Sequence, residues 1–109
     1  MAFKSNVAIN ISNSSGSPTD LSDTVAASTT HTVIGLSLSN TSTSNITVSV
    51  FLDKLNTTES FLVKDATVLP GGALVVVGGD QKLVLEPTDV IRGYASAANS
   101  CDVVISYLV

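Results

Sequence analysis

TVIGLSLSNTSTSNITVSVFLD, residues 32–53, is two hydrophobic runs separated by a polar stretch. In the first run Ile34, Leu36 and Leu38 fall on one side while Gly35, Ser37 and Ser39 fall on the other. In the second, Ile46, Val48, Val50 and Leu52 alternate with Thr47, Ser49, Phe51 and Asp53. A strand turns successive side chains to opposite faces, so each run can cover a core on one side and meet water on the other. The excess of Val, Ile and Thr agrees, because branched side chains lose rotamer freedom in helices and pack well on a pleated surface. Asn40-Thr41-Ser42-Thr43-Ser44-Asn45, between the runs, has the composition of a turn.

The same grammar continues outward in both directions. Further short runs lie at Val7 to Ile11, Ser60 to Lys64, Ala73 to Val77, Lys82 to Leu85, Val90 to Ala95 and Cys101 to Leu108. Short strands with turn signals every 8 to 12 residues or so make a sandwich or barrel. The last run puts Cys101, Val103, Ile105 and Tyr107 on one face and Val104 and Leu108 on the other. Being apolar on both sides, it belongs in the middle of a sheet or against a neighbouring subunit. Ser12 to Ser28 breaks the pattern. It is rich in Ser, Thr, Gly and Asp, with Leu21 and Val25 as its anchors, and reads as a surface loop or as an arm that orders against a partner.

Composition narrows the function. The chain has 109 residues, enough for one domain with its own core, and is 44% hydrophobic but only 13% charged. Its five bases (Lys4, Lys54, Lys64, Lys82, Arg92) are scattered in a chain of net charge −4, so no track exists for a nucleic-acid backbone. No apolar stretch approaches the roughly 18 residues of a membrane-spanning helix. The opening MAFKSNVAINIS lacks a signal peptide's apolar core, and one cysteine, Cys101, fits folding in a reducing cytoplasm. Asn-x-Ser/Thr triplets begin at Asn10, Asn13, Asn40, Asn45 and Asn56, and read as products of a Ser/Thr/Asn-rich chain rather than as glycan acceptors.

Reactive groups are sparse. Gly78-Gly79-Asp80-Gln81-Lys82 has the residues of a phosphate cradle, but such a loop must open into a helix, and a short apolar run follows instead. It reads as a hairpin turn, as does Pro70-Gly71-Gly72. His31 opens a strand on its polar face, where an exposed side chain outweighs a catalytic base. Cys101 reads as a buried structural thiol. Asp20 and Asp23 are too few for a calcium loop, and Glu59 and Glu86 carry no mark of a glycosidase pair. Phe3, Phe51, Phe61, Tyr94 and Tyr107 are too dispersed to form a stacking platform. Phe51, on the polar side of its strand, marks either an interface or cover by a loop.

Taken together, TVIGLSLSNTS (32–42), FLVKDATVLPGGALVVVGGDQKLVLEPTDVIRGYAS (61–96) and DVVISYLV (102–109) resemble the small all-β virion structural proteins of tailed bacteriophages. The shared pattern is a strand ending in Asn-Thr-Ser, a Pro-x-Gly-Gly turn, Gly-Gly-Asp-Gln-Lys-Leu-Val-Leu, an acid-bearing turn, and a closing strand ending in Ser-x-Leu. Where members often carry Gly before the acid of the second turn, this chain has Thr88-Asp89. The resemblance covers about two thirds of the chain and leaves residues 1–28 unmatched.

The expectation is therefore an all-β protein, an antiparallel β-sandwich of about eight strands, jelly-roll or immunoglobulin-like. Residues 29–109 would be its core and 1–28 a strand and polar loop or arm, one domain overall. The resemblance implies a non-enzymatic virion protein without cofactors, assembled in a host bacterial cytoplasm. It would decorate the head by binding the major capsid protein, as a homo-oligomer, trimer or higher. A tail, neck or fibre-base component is the alternative, and a carbohydrate-binding attachment module a more distant one. Neither nucleic acid nor membrane is expected as a partner. The candidate interface residues are Val7, Ile9, Ile11, Leu21, Val25, Phe51, Val104 and Leu108.

Overall fold

The computed structural model describes residues 2–54 and 57–109, which form nine strands and no helix. They are β1 (Phe3–Ala8), β2 (Thr19–Asp20), β3 (His31–Asn40), β4 (Ile46–Lys54), β5 (Thr58–Val68), β6 (Ala73–Val77), β7 (Leu83–Leu85), β8 (Val90–Ala95) and β9 (Cys101–Leu108). One sheet runs β1-β9-β3-β6, with β7 also paired to β3, so that β6 and β7 share one edge end to end. The other runs β2-β8-β4-β5.

The order has a simple origin. β1 pairs with β9, β2 with β8, β3 with β6 and β7, and β4 with β5, all antiparallel. The chain thus doubles back into one long ribbon closed at the β4–β5 end. Rolling that ribbon brings β9 against β3 and β8 against β4. This wrapping is the jelly roll, which decides between the two sandwich types expected.

Side chains from both sheets fill the space between them, among them Leu36, Leu38, Val48, Val50, Ile91, Val103 and Ile105. Each fully buried aliphatic contributes about 1.5–3 kcal/mol. β4 keeps the expected inward set of Ile46, Val48 and Val50. β3 departs from simple alternation. Val33 faces Tyr107 and Gly35 faces Ser106, so Ile34 is an extra residue in a bulge. Val33 is fully buried and Ile34 only half-buried, the reverse of what alternation predicts.

Residues 9–28 are not a detached arm. Ile11, Leu21 and Val25 are core residues, each about 1% exposed. The backbone is tied along β8 and its flanks: Leu21 N–H donates to Ile91 O, Ile91 N–H to Ser22 Oγ, Ala95 N–H to Ser12 O, and Val25 N–H to Asp89 O. A polar composition had hidden an integral layer. Gly93 shows how close the approach is, because a Cβ there would meet Ser49 O at 2.9 Å and Leu21 Cδ1 at 3.0 Å.

Two turns of the shared punctuation meet in space. Asn40, buried at the end of β3, donates through Nδ2 to Ser44 O and Val68 O and accepts from Ser42 N–H and Oγ. Its backbone bonds to Gly71 and Gly72, locking the 40–45 turn to the Pro70-Gly71-Gly72 turn. Its amide is therefore committed. Gly71 and Gly79 have φ of +73° and +63°, the left-handed backbone expected of both turns. Neither turn is the hairpin expected, however: Pro70-Gly71-Gly72 crosses from β5 in one sheet to β6 in the other, and the Gly78–Gln81 turn joins β6 to β7, which pair with β3 rather than with each other. Asn56 lies outside the described residues.

Candidate docking face

The registers assign every strand residue to a face. On β9, Cys101, Val103, Ile105 and Tyr107 are buried between the sheets, so Asp102, Val104, Ser106 and Leu108 look outward. Their partners look outward with them. One cross-strand row is Phe3, Leu108, Thr32 and Val84, and a second is Val7, Val104, Ser37 and Val75. Ser5, Ser106 and Gly35 separate the two. Phe3 is 78% exposed, Val7 64% and Val75 66%, with Val84 and Val104 also exposed. Asp102 is the only charged residue in this outward set, at one end, where its Oδ1 accepts the Asn10 N–H. The result is an apolar and hydroxyl-lined surface with no charge across its middle.

The outer face of the second sheet is built differently. Its central row is Asp20, Arg92, Phe51 and Phe61. Arg92 Nε donates to Asp20 Oδ1 at 2.7 Å, and Nη1 donates to Asp53, a carboxylate almost wholly buried. Phe51 is only 2% exposed, although it points away from the main core. Its ring packs at 5.3 Å against Phe61, and Lys64 Nζ sits 5.0 Å above the Phe61 ring. Next to it, Ser49 Oγ accepts the N–H of Asp65, whose φ of +50° marks a bulge in β5. At the rim, Lys54 Nζ donates to Asp89 at 2.8 Å and Glu86 at 3.1 Å. Those bonds, to Asp89 first and Glu86 next, hold its ammonium above the ordinary 10.5.

The expected interface residues divide between these environments. Val7, Ile9 and Val104 are exposed and Leu108 is half-buried, with Val7, Val104 and Leu108 all in the outward rows and Ile9 just past β1. Ile11, Leu21 and Val25 are corrected to the core, where they face no partner. Phe51 is corrected too: it is already buried within the single chain, with its own sheet neighbours Phe61 and Arg92 flanking it. Phe3, Val75 and Val84 belong to the outward rows and escaped notice. The signal available was Val104 and Leu108 on the wrong side of β9, but only the register names what lies beside them. β9 is indeed central in its sheet.

His31, Cys101 and Asp20 are each occupied or shielded. His31 is half-buried and stacked on Tyr107, with centroids 5.0 Å apart, rather than free on a polar face. Burial, with a smaller push from the Asp102 carboxylate, raises the Cys101 thiol to about 11, so it is a protonated core residue. Asp20 is paired with Arg92. Among the described residues no group of three or more His, Cys, Asp or Glu is placed to hold a metal, and no helix is long and apolar enough to cross a membrane.

The chain matches no protein-family model and no curated protein sequence.

Proposed function

We propose that this protein is a non-enzymatic structural component of a virion, a decoration (cement) protein. It docks on the major capsid protein through the outward face of the β1-β9-β3-β6/β7 sheet. The observation that carries the reading is that face: two apolar rows, solvent-exposed and uncharged across the middle, on a sandwich whose other broad face is closed by its own ion pairs. Isolated exposed aliphatics are ordinary, whereas a contiguous exposed patch marks a binding surface. The turn-and-strand punctuation quoted above supports the same class, as does the jelly-roll wrapping, a fold shared with many capsid proteins and with lectins.

The test is addition of purified protein to undecorated heads, with copy number read by quantitative mass spectrometry. The expected result is saturable binding at hundreds of copies per particle, abolished by Val7→Asp with Val75→Asp while circular dichroism stays unchanged. A stoichiometry of a few to some tens would place the protein in the tail, neck or fibre base instead. Glycan binding by the isolated domain without head binding would make it an attachment module.

A further inference from the structure

We infer that β1 is a self-pairing edge, through which two copies of this chain join antiparallel into one continuous sheet. An open strand edge carries unpaired N–H and C=O groups, and proteins usually blunt it. Three of the four edges here are blunted. β2 is two residues long. β6 and β7 are five and three residues, separated by the Gly78–Gln81 turn and broken by an extra residue, Val76, in the pairing with β3. β5 is long, but it has two register shifts and carries Glu59, Lys64 and Asp65.

β1 differs on each count. Its register with β9 is unbroken from Phe3 to Ala8, without bulge, proline or acid. Ala2 and Val109 exchange two hydrogen bonds, at 3.1 and 2.9 Å. In an antiparallel ladder such pairs alternate, so Lys4, Asn6 and Ala8 bond toward β9. Phe3, Ser5 and Val7 turn their backbone groups to the open side. Among the described residues β1 pairs with no strand but β9.

Three features select a second copy as the occupant. First, a two-fold axis at Ser5 is self-complementary: Phe3 of one copy lies beside Val7 of the other, and Ser5 faces Ser5. Second, this register sets Lys4 opposite Asn6 rather than opposite another Lys4, so the one charge on the strand does not oppose itself. Third, in a chain of net charge −4 the first acid is Asp20, so along β1 two like-charged copies meet without facing carboxylates. The pairing also makes each Phe3 row continue into the Val7 row of the other copy. It deepens the virion reading by naming one partner, yet stands on observations of its own.

Ser5→Cys tests it in the full chain, because facing residues in a hydrogen-bonded antiparallel pair lie about 5.5 Å apart at Cα, within disulfide reach. Under mild oxidation it should form covalent dimers at least about tenfold faster than Asn6→Cys. The buried Cys101 stays out of the reaction. Ser5→Pro removes a donor that points only to the open side, and should raise the dimer dissociation constant by about tenfold in sedimentation equilibrium. Equal rates for the two cysteine variants, or a wild-type chain monomeric at millimolar concentration, would overturn the proposal. A monomer that still saturates undecorated heads would sink the pairing alone, and a dimer that ignores heads would sink only the shell reading.

Discussion

The two outer faces of this sandwich start from the same strand alternation and end in opposite states. On the β2-β8-β4-β5 side, Arg92 bridges Asp20 and Asp53 beside Phe51, and the Phe61 ring packs on Phe51, so Phe51 and Asp53 are sealed in although Phe61 itself stays 38% exposed. On the β1-β9-β3-β6/β7 side, Phe3, Val7, Val75, Val84 and Val104 stand in water with serine and threonine between them. Charge is thus spent on closing one face and withheld from the other. Exposure of hydrophobic area is informative only against such a background.

Experiments can break or sharpen this contrast. The largest effect should come from deleting residues 1–28. That removes β1 and β2 with Ile11, Leu21 and Val25, so the β signal in circular dichroism and the cooperative thermal transition should both disappear. A folded deletion product would show that the segment is an arm after all. Next come the sealed-face residues. Phe51→Ala should cost about 3 kcal/mol in denaturant unfolding, as for a buried aromatic. Arg92→Met should cost about 2–3 kcal/mol, because Asp53 is left as a buried, uncompensated charge. Losses below about 0.5 kcal/mol at both positions would mean that face is an ordinary wet surface.

A smaller effect concerns pH. The native Cys101 thiol keeps its proton to about 11, while the unfolded thiol loses it near 9.0. The unfolded chain therefore binds fewer protons between those values, and stability present below pH 9 should fall across that window. Cys101→Ala should flatten this part of the stability-against-pH curve, and the thiol should react with a disulfide reagent only on unfolding. Lys54, also raised, should add a further decline only above 10.5. The smallest effect on stability is expected on the open face. Val7→Ser, Val75→Ser and Val104→Ser should each change it by less than about 0.5 kcal/mol, although together they should abolish docking. A large stability loss there would mean the rows support the fold rather than a partner.

Much of the architecture was readable residue by residue. The alternation of 46–50 and 101–107, the positive-φ turns at Gly71 and Gly79 and the buried thiol are local matters. The failures are non-local. Ser, Thr and Asp in residues 12–28 look like loop, yet the segment finds partners on a strand about seventy positions away, through its backbone in the Leu21 N–H bond to Ile91 O and through a hydroxyl in the Ile91 N–H bond to Ser22 Oγ. Asn40 reads as a turn residue, whereas its amide reaches Val68 across 28 positions to lock a second turn. Phe51 sits on the polar side of its own strand, and no local pattern says that Phe61 and Arg92 lie across from it.

The amino-acid sequence by itself determined that this chain makes strands, where most of them run, and that its few reactive groups are dispersed. Those follow from a two-residue periodicity and from turn chemistry, which act over neighbouring positions. Only the tertiary structure decided the jelly-roll order, the bulge at Ile34, and which outer face is sealed and which left open. Register between distant strands sets all three, because a slip of one residue exchanges the two faces of a strand. Asp20 and Arg92, 72 positions apart, seal a surface only once β2 lies beside β8.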